Sequence, residues 1–148
     1  MRLTLTALLL LLTAMPASAG QQLTGRVRVI DGDTIVVGGI HVRLQGIAAP
    51  EIAHFGQPGG PEARDYMRTI AEGRIAVCKL TGEKTHRREV GVCRVGGKDV
   101  AEEVIAAGLA RDCPRFSHGW YATVEQPEAT QLPFPSYCVP RAPYRVTT

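Results

Sequence analysis

The residues with chemistry to offer are few and well separated. Asp31-Gly32-Asp33 sets two carboxylates at a turn signal, and Glu51 follows Pro50 in a loop. Arg43 lies in an alternating stretch, and Arg87-Arg88 is a two-residue basic run. A guanidinium is a rigid donor fork that suits phosphates and carboxylates. The chain carries 14 Arg against 3 Lys and has no Asn, so compositional bias is the bland source of that excess. Each group also has a plain reading: a solvated turn, an exposed strand face with ion pairs worth under about 1 kcal/mol, a loop. Asp112, Ser117 and His118 invite a nucleophile triad. Adjacent Ser and His rarely meet in the required geometry, and no nucleophile elbow is present, so the triad is rejected. Trp120 and Tyr121 offer rings for base stacking, but burial against the core is the expectation.

The length of 148 residues suits one domain, and 45% apolar with 21% charged residues argues against disorder. A net charge of +3 does not by itself announce a nucleic-acid binder. No apolar run reaches the ~20 residues needed to span a bilayer. Arg2, an apolar stretch from Leu3 to Met15 and the small residues Ala17-Ser18-Ala19 form a secretory signal pattern. Residues 1–19 are therefore expected to be removed, and the rest exported to the periplasm or cell exterior as a monomer. Export changes the meaning of Cys78, Cys93, Cys113 and Cys138. An even count in an exported small domain implies disulfides, and no short C-x-x-C pair supports zinc. Of three connectivities, Cys78–Cys93 and Cys113–Cys138 are favoured. The first pair flanks an expected hairpin, Ile75 to Leu80 and Glu89 to Val95. Closing its loop is worth roughly 3 kcal/mol in the chain-entropy account.

Positioning falls to short strands with helices between the later ones. Leu23 to Ile30, Thr34 to Val37 and Ile40 to Ile47 are β-branched or alternating and separated by Asp-Gly and Gly-Gly turns. Pro61 opens a helix running to Gly73. Asp99, with Glu102 three residues on, caps a second near Gly108. Ser117 to Glu125 is expected as one more helical piece, cut by Pro127. The fold class is α+β, a small five-stranded barrel of OB type with two to three helices, over residues 20–126. Residues 127–148 form a Pro-rich tail pinned by the second disulfide.

Val29-Ile30-Asp31-Gly32-Asp33-Thr34-Ile35 resembles the first motif of the staphylococcal nuclease (thermonuclease-like) family. Val42 to Glu51 resembles the second, and Gly60-Pro61-Glu62-Ala63 the entry to its first helix. Arg88 to Cys93 and Ala106 to Ala110 continue the likeness, which runs from about Gly25 to Tyr121. The resemblance implies an OB barrel and calcium-dependent phosphodiester hydrolysis of single-stranded DNA or RNA. It implies Asp33 as a calcium ligand, Asp31 as an outer-shell carboxylate and the Ala49 carbonyl as a further ligand. Glu51 would activate water, and Arg43 and Arg88 would clamp the phosphate.

The chain departs from that pattern at a calcium ligand, at a loop motif and in the family's C-terminal helix, which is shortened with Pro127 in the way. Where the family has a calcium-binding Asp, this chain has Ala48, which implies weaker calcium binding and weakened activity. The family's Asp-x-Tyr-Gly-Arg reads Lys84-Thr85-His86-Arg87-Arg88. The alternative is a catalytically inactive barrel that binds oligonucleotide, oligosaccharide or a protein partner.

Overall fold

The computed structural model describes residues 20–52 and 56–141. The expected signal segment and His54 lie outside them. The chain folds as a closed five-stranded barrel with helices on its flank. The strands are β1 (Gln22–Val29), β2 (Thr34–Val37), β3 (Ile40–Leu44), β5 (Ile75–Thr85) and β6 (Arg88–Val95). Short β4 (Ile47–Ala48), β7 (Lys98–Asp99) and β8 (Arg111–Asp112) complete the set. β1 pairs antiparallel with β2 and β5, β2 with β3, and β5 with β6. A parallel pairing of β3 with β6, Arg43 opposite Val90, closes the ring. This is the expected α+β barrel of OB type.

Alternation drives the closure. Val27, Val29, Ile35, Val37, Val42 and Leu44 are buried and share one core with Met67 and Ile105. Those two come from α1 (Gly60–Ala71) and α2 (Val100–Ala106). Pro61 begins α1 where its missing N–H has no partner to lose. Asp99 caps α2 by accepting from the Ala101 N–H at 3.0 Å. Its other oxygen takes the Tyr121 hydroxyl at 3.1 Å. Burial, then the nearby Asp99 charge, pushes the Tyr121 hydroxyl pKa above its ordinary value.

The single strand expected from Ile40 to Ile47 breaks at Gly46, which has φ +78°. A Cβ there would lie 2.8 Å from the Ser117 Cβ, so only glycine admits the close approach. The chain beyond it leaves the barrel, and β4 pairs with β8 instead, Ala48 opposite Arg111. The expected helix Ser117 to Glu125 is also corrected. α3 covers Pro114–Ser117 and ends at His118, in the left-handed region at φ 56°. Gly119 follows with φ +79°, so a helix has no continuation there. Trp120, expected to be buried, is 68% exposed, while Tyr121 enters the core. Both disulfides pair as expected, Cys78–Cys93 and Cys113–Cys138. Among the described residues no helix is long and apolar enough to cross a membrane.

Candidate functional site

The site starts at the β1–β2 turn. The Asp33 N–H donates to the Asp31 carboxylate at 3.0 Å, an Asx turn that fixes the loop. Gly32 sits so close to Ala49 and to Ala63 of α1 that a Cβ would come within 2.7 Å of each. The turn is thereby tucked between α1 and the segment after β4, and Asp33 is driven inward to 3% exposure.

A buried carboxylate needs partners, and Asp33 has them. Its Oδ2 accepts from the Ala49 N–H at 3.1 Å and faces Arg43 Nη2 at 2.9 Å. Its Oδ1 accepts from the Thr34 hydroxyl at 3.1 Å. Burial raises its carboxyl pKa to about 7, with the Asp31 charge adding and the Arg43 charge and the Ala49 N–H opposing. Arg43 is held as firmly. Nη1 donates to the Asp33 and Leu44 carbonyls at 3.4 and 3.2 Å, and Nη2 to the Ile47 carbonyl at 3.0 Å.

Arg88 comes from the far strand. Its Nε donates to the Thr85 carbonyl at 3.3 Å and its Nη1 to the Thr34 hydroxyl at 3.1 Å. Thr34 therefore connects the two arginine stations, a link sequence reading missed. The β5–β6 turn is tight: Thr85 pairs with Arg88, leaving His86 and Arg87 between them. Both have positive φ, 47° and 67°, the backbone of a two-residue hairpin turn that usually carries Asn or Gly. Lys84 pairs with Glu89 across the hairpin at 2.8 Å.

These strands border a cleft of about 550 Å³. Arg43, Glu51 and Arg88 all line it, with Lys84 and His86 beside them. Glu51 is exposed and anchored through its backbone, the N–H donating to the Gln57 side chain at 2.9 Å. Asp31 and Asp33 are not part of the lining. Arg115, Phe116 and Tyr137 form a further part of the cleft wall, none of them singled out from sequence. The only signal for that wall was the expected disulfide, whose cysteines flank it.

The family resemblance implies a calcium site at Asp33 and the Ala49 carbonyl. Calcium takes six to eight oxygens, and its affinity follows the carboxylate count. Asp33 already satisfies a guanidinium, an amide and a hydroxyl. Ala48 is 1% exposed and packs in an apolar cluster with Cys113 and Cys138. Among the described residues no group of three or more His, Cys, Asp or Glu side chains is placed to hold a metal. The residues present do not fit calcium.

Residues 41–130 match the family described as Staphylococcal nuclease homologue. Among curated proteins the chain is similar to Succinoglycan biosynthesis protein ExoI of Rhizobium meliloti (strain 1021), 33% identical over 125 residues, 78% of this chain and 65% of that protein. It is similar to Probable endonuclease LCL3 of Schizophyllum commune, 35% identical over 91 residues, 59% of this chain and 30% of that one. The protein of the same name from Yarrowia lipolytica is 40% identical over 76 residues, 47% of this chain and 34% of that one. The chain thus spans less than two thirds of each of these relatives.

Proposed function

The chain belongs to the staphylococcal nuclease homologue family, and on that premise we propose that it is an exported nuclease. It hydrolyses phosphodiester bonds of single-stranded DNA or RNA slowly, as a monomer, in the cleft beside the β5–β6 hairpin. The observation that carries the reading is that Arg43, Glu51 and Arg88, from three different segments, line one cleft. The names of two relatives, probable endonucleases, support it. The signal pattern and the two disulfides support export.

In this reading a phosphate enters beside Arg88, whose positive charge holds the phosphoryl oxygens. Arg88 uses Nε and Nη1 on the protein, which leaves its Nη2 for the substrate. The Glu51 carboxylate takes a proton from a water, that water attacks phosphorus in line with the departing oxygen, and the P–O bond breaks as that oxygen takes a proton from solvent. Arg43 keeps the Asp33 turn and the start of β4 in place. The family resemblance implies calcium, weakened by Ala48. The one carboxylate expected to bind it directly, Asp33, is already engaged by Arg43, Ala49 and Thr34, so the proposed reaction runs on the protein's own charges and calcium changes it little.

A second reading is favoured by one observation. The four Nη donations of Arg43 go to Asp33 and to backbone carbonyls, which withdraws one of two expected phosphate clamps. A barrel that binds single-stranded nucleic acid without cutting it would look the same. Cleavage of single-stranded DNA and RNA by oxidised protein starting at Gly20 separates the two. Slow cleavage that persists with chelator and disappears in Glu51→Gln supports the nuclease. Binding without cleavage in wild type establishes the second reading, and absence of both removes nucleic acid from the cleft. Cleavage that appears only with calcium would overturn the fit argument made from Asp33 and Ala48.

A further inference from the structure

Part of the cleft wall lies outside the family match. The matched residues end at 130, yet Tyr137 lines the cleft with Arg43 and Arg88. Tyr137 is 45% exposed and Phe116 39%. Their ring centroids lie 6.5 Å apart with the planes at 56°, a separation at which aromatic rings attract. The pair is held in place from behind. Cys138 follows Tyr137 directly, and its disulfide to Cys113 ties the 3-10 turn Ser136–Cys138 to the start of α3, which carries Phe116. Arg115 adds a brace, with Nη1 donating to the Tyr137 carbonyl at 3.4 Å and the guanidinium 5.3 Å from the Phe116 ring.

An exposed ring and cationic side chains that line the same cleft match a nucleotide, which joins a planar base to an anion. We propose that Tyr137, delivered to the cleft by the Cys113–Cys138 disulfide, is a substrate-contact residue on whose ring a nucleobase of single-stranded nucleic acid stacks. The inference rests on the reading of the cleft as a nucleic-acid site. It adds that a segment beyond the family match completes that site, and that the site is complete only in the oxidised protein.

The test is fluorescence anisotropy with a labelled oligothymidylate and with a matched strand of abasic spacers. Stacking on an aromatic ring predicts that Tyr137→Ala weakens oligothymidylate binding roughly tenfold. Tyr137→Phe retains affinity, because the ring and not the hydroxyl makes the contact. The abasic strand binds wild type and Tyr137→Ala alike. The double variant Cys113→Ala/Cys138→Ala loses about as much as Tyr137→Ala, and combining the changes adds little more. Equal binding of oligothymidylate by wild type and Tyr137→Ala overturns the inference while leaving the nuclease reading intact. A loss equally large on the abasic strand also overturns it, since Tyr137 would then act on the fold alone. If wild type binds neither strand, both readings fall together.

Discussion

Arg43 and Asp33 resemble a phosphate clamp and a metal ligand in sequence, but in space they first satisfy each other. Arg43 is 12% exposed at the side chain, and removing one partner of a buried pair leaves the other charge without compensation. Arg43→Ala is therefore expected to cost about 3 kcal/mol in urea unfolding at pH 8, without any substrate present. A purely catalytic arginine would leave stability unchanged. Asp33 supplies a second test. Burial raises its carboxyl from 3.8 to about 7, so the folded protein binds that proton more tightly than the unfolded chain. Its stabilising contribution is complete below about pH 4 and is lost as pH rises towards 7. Urea midpoints of wild type should thus fall between pH 4 and 7 relative to Asp33→Asn. A rise instead would mean that the Arg43 pairing outweighs burial. Sequence identified these residue types and their spacing. It did not reveal that Arg43 spends its donors on carbonyls, because a backbone acceptor leaves no mark on side-chain chemistry.

The elements were legible wherever alternation or a breaker residue decided them. β2 and the two main helices are close to expectation because β-branched runs, Pro61 and Asp99 are local signals. The β5–β6 hairpin forms as expected, with Cys78 opposite Cys93, but the polar segment Thr81 to Arg88 is not all loop: both strands continue through an irregularity between Leu80 and Lys84. Strand pairing across a barrel carries polar residues into the ladder when the partner is already in place. The result is a two-residue turn whose residues, His86 and Arg87, both adopt left-handed backbone. For a residue with a Cβ that conformation costs roughly 1–2 kcal/mol, and glycine's added unfolded-state freedom offsets part of the relief. Arg87→Gly should raise stability by about 0.5–1 kcal/mol, read from the urea midpoint. Arg87 is not in the cleft lining, so oligonucleotide affinity should fall less than in Arg88→Ala. A stability loss would show that the arginine side chain contributes contacts that outweigh the strain.

At the scale of the whole molecule the barrel and the tail are stapled separately, and the two staples should fail differently. Cys78 and Cys93 are opposite one another in paired strands of the barrel, 15 residues apart in sequence. Cys113–Cys138 spans 25 residues and holds the tail to β8 and α3. The secretory signal pattern and an even cysteine count made both pairs legible, since hairpin symmetry fixed one and left the other. What the tail does was not legible, because nothing local in a Pro-rich segment says which wall it will complete. Loop length alone assigns the longer span the greater stabilisation. That account assumes that the native state is the same without the bond. Ala129 is fully buried, which anchors the chain through the 3-10 turn Pro127–Gln131. Beyond it most side chains are half-buried or exposed, so without its disulfide this stretch can open locally while the barrel stays folded. Cys78→Ala/Cys93→Ala is expected to lower global stability by roughly 3 kcal/mol. Cys113→Ala/Cys138→Ala should cost less despite the longer loop, and limited proteolysis should cut it after Gln131 before the barrel is touched. An equal or larger cost with no early cleavage would place the tail within the cooperative unit of the barrel, and the cleft wall would then be as stable as the core behind it.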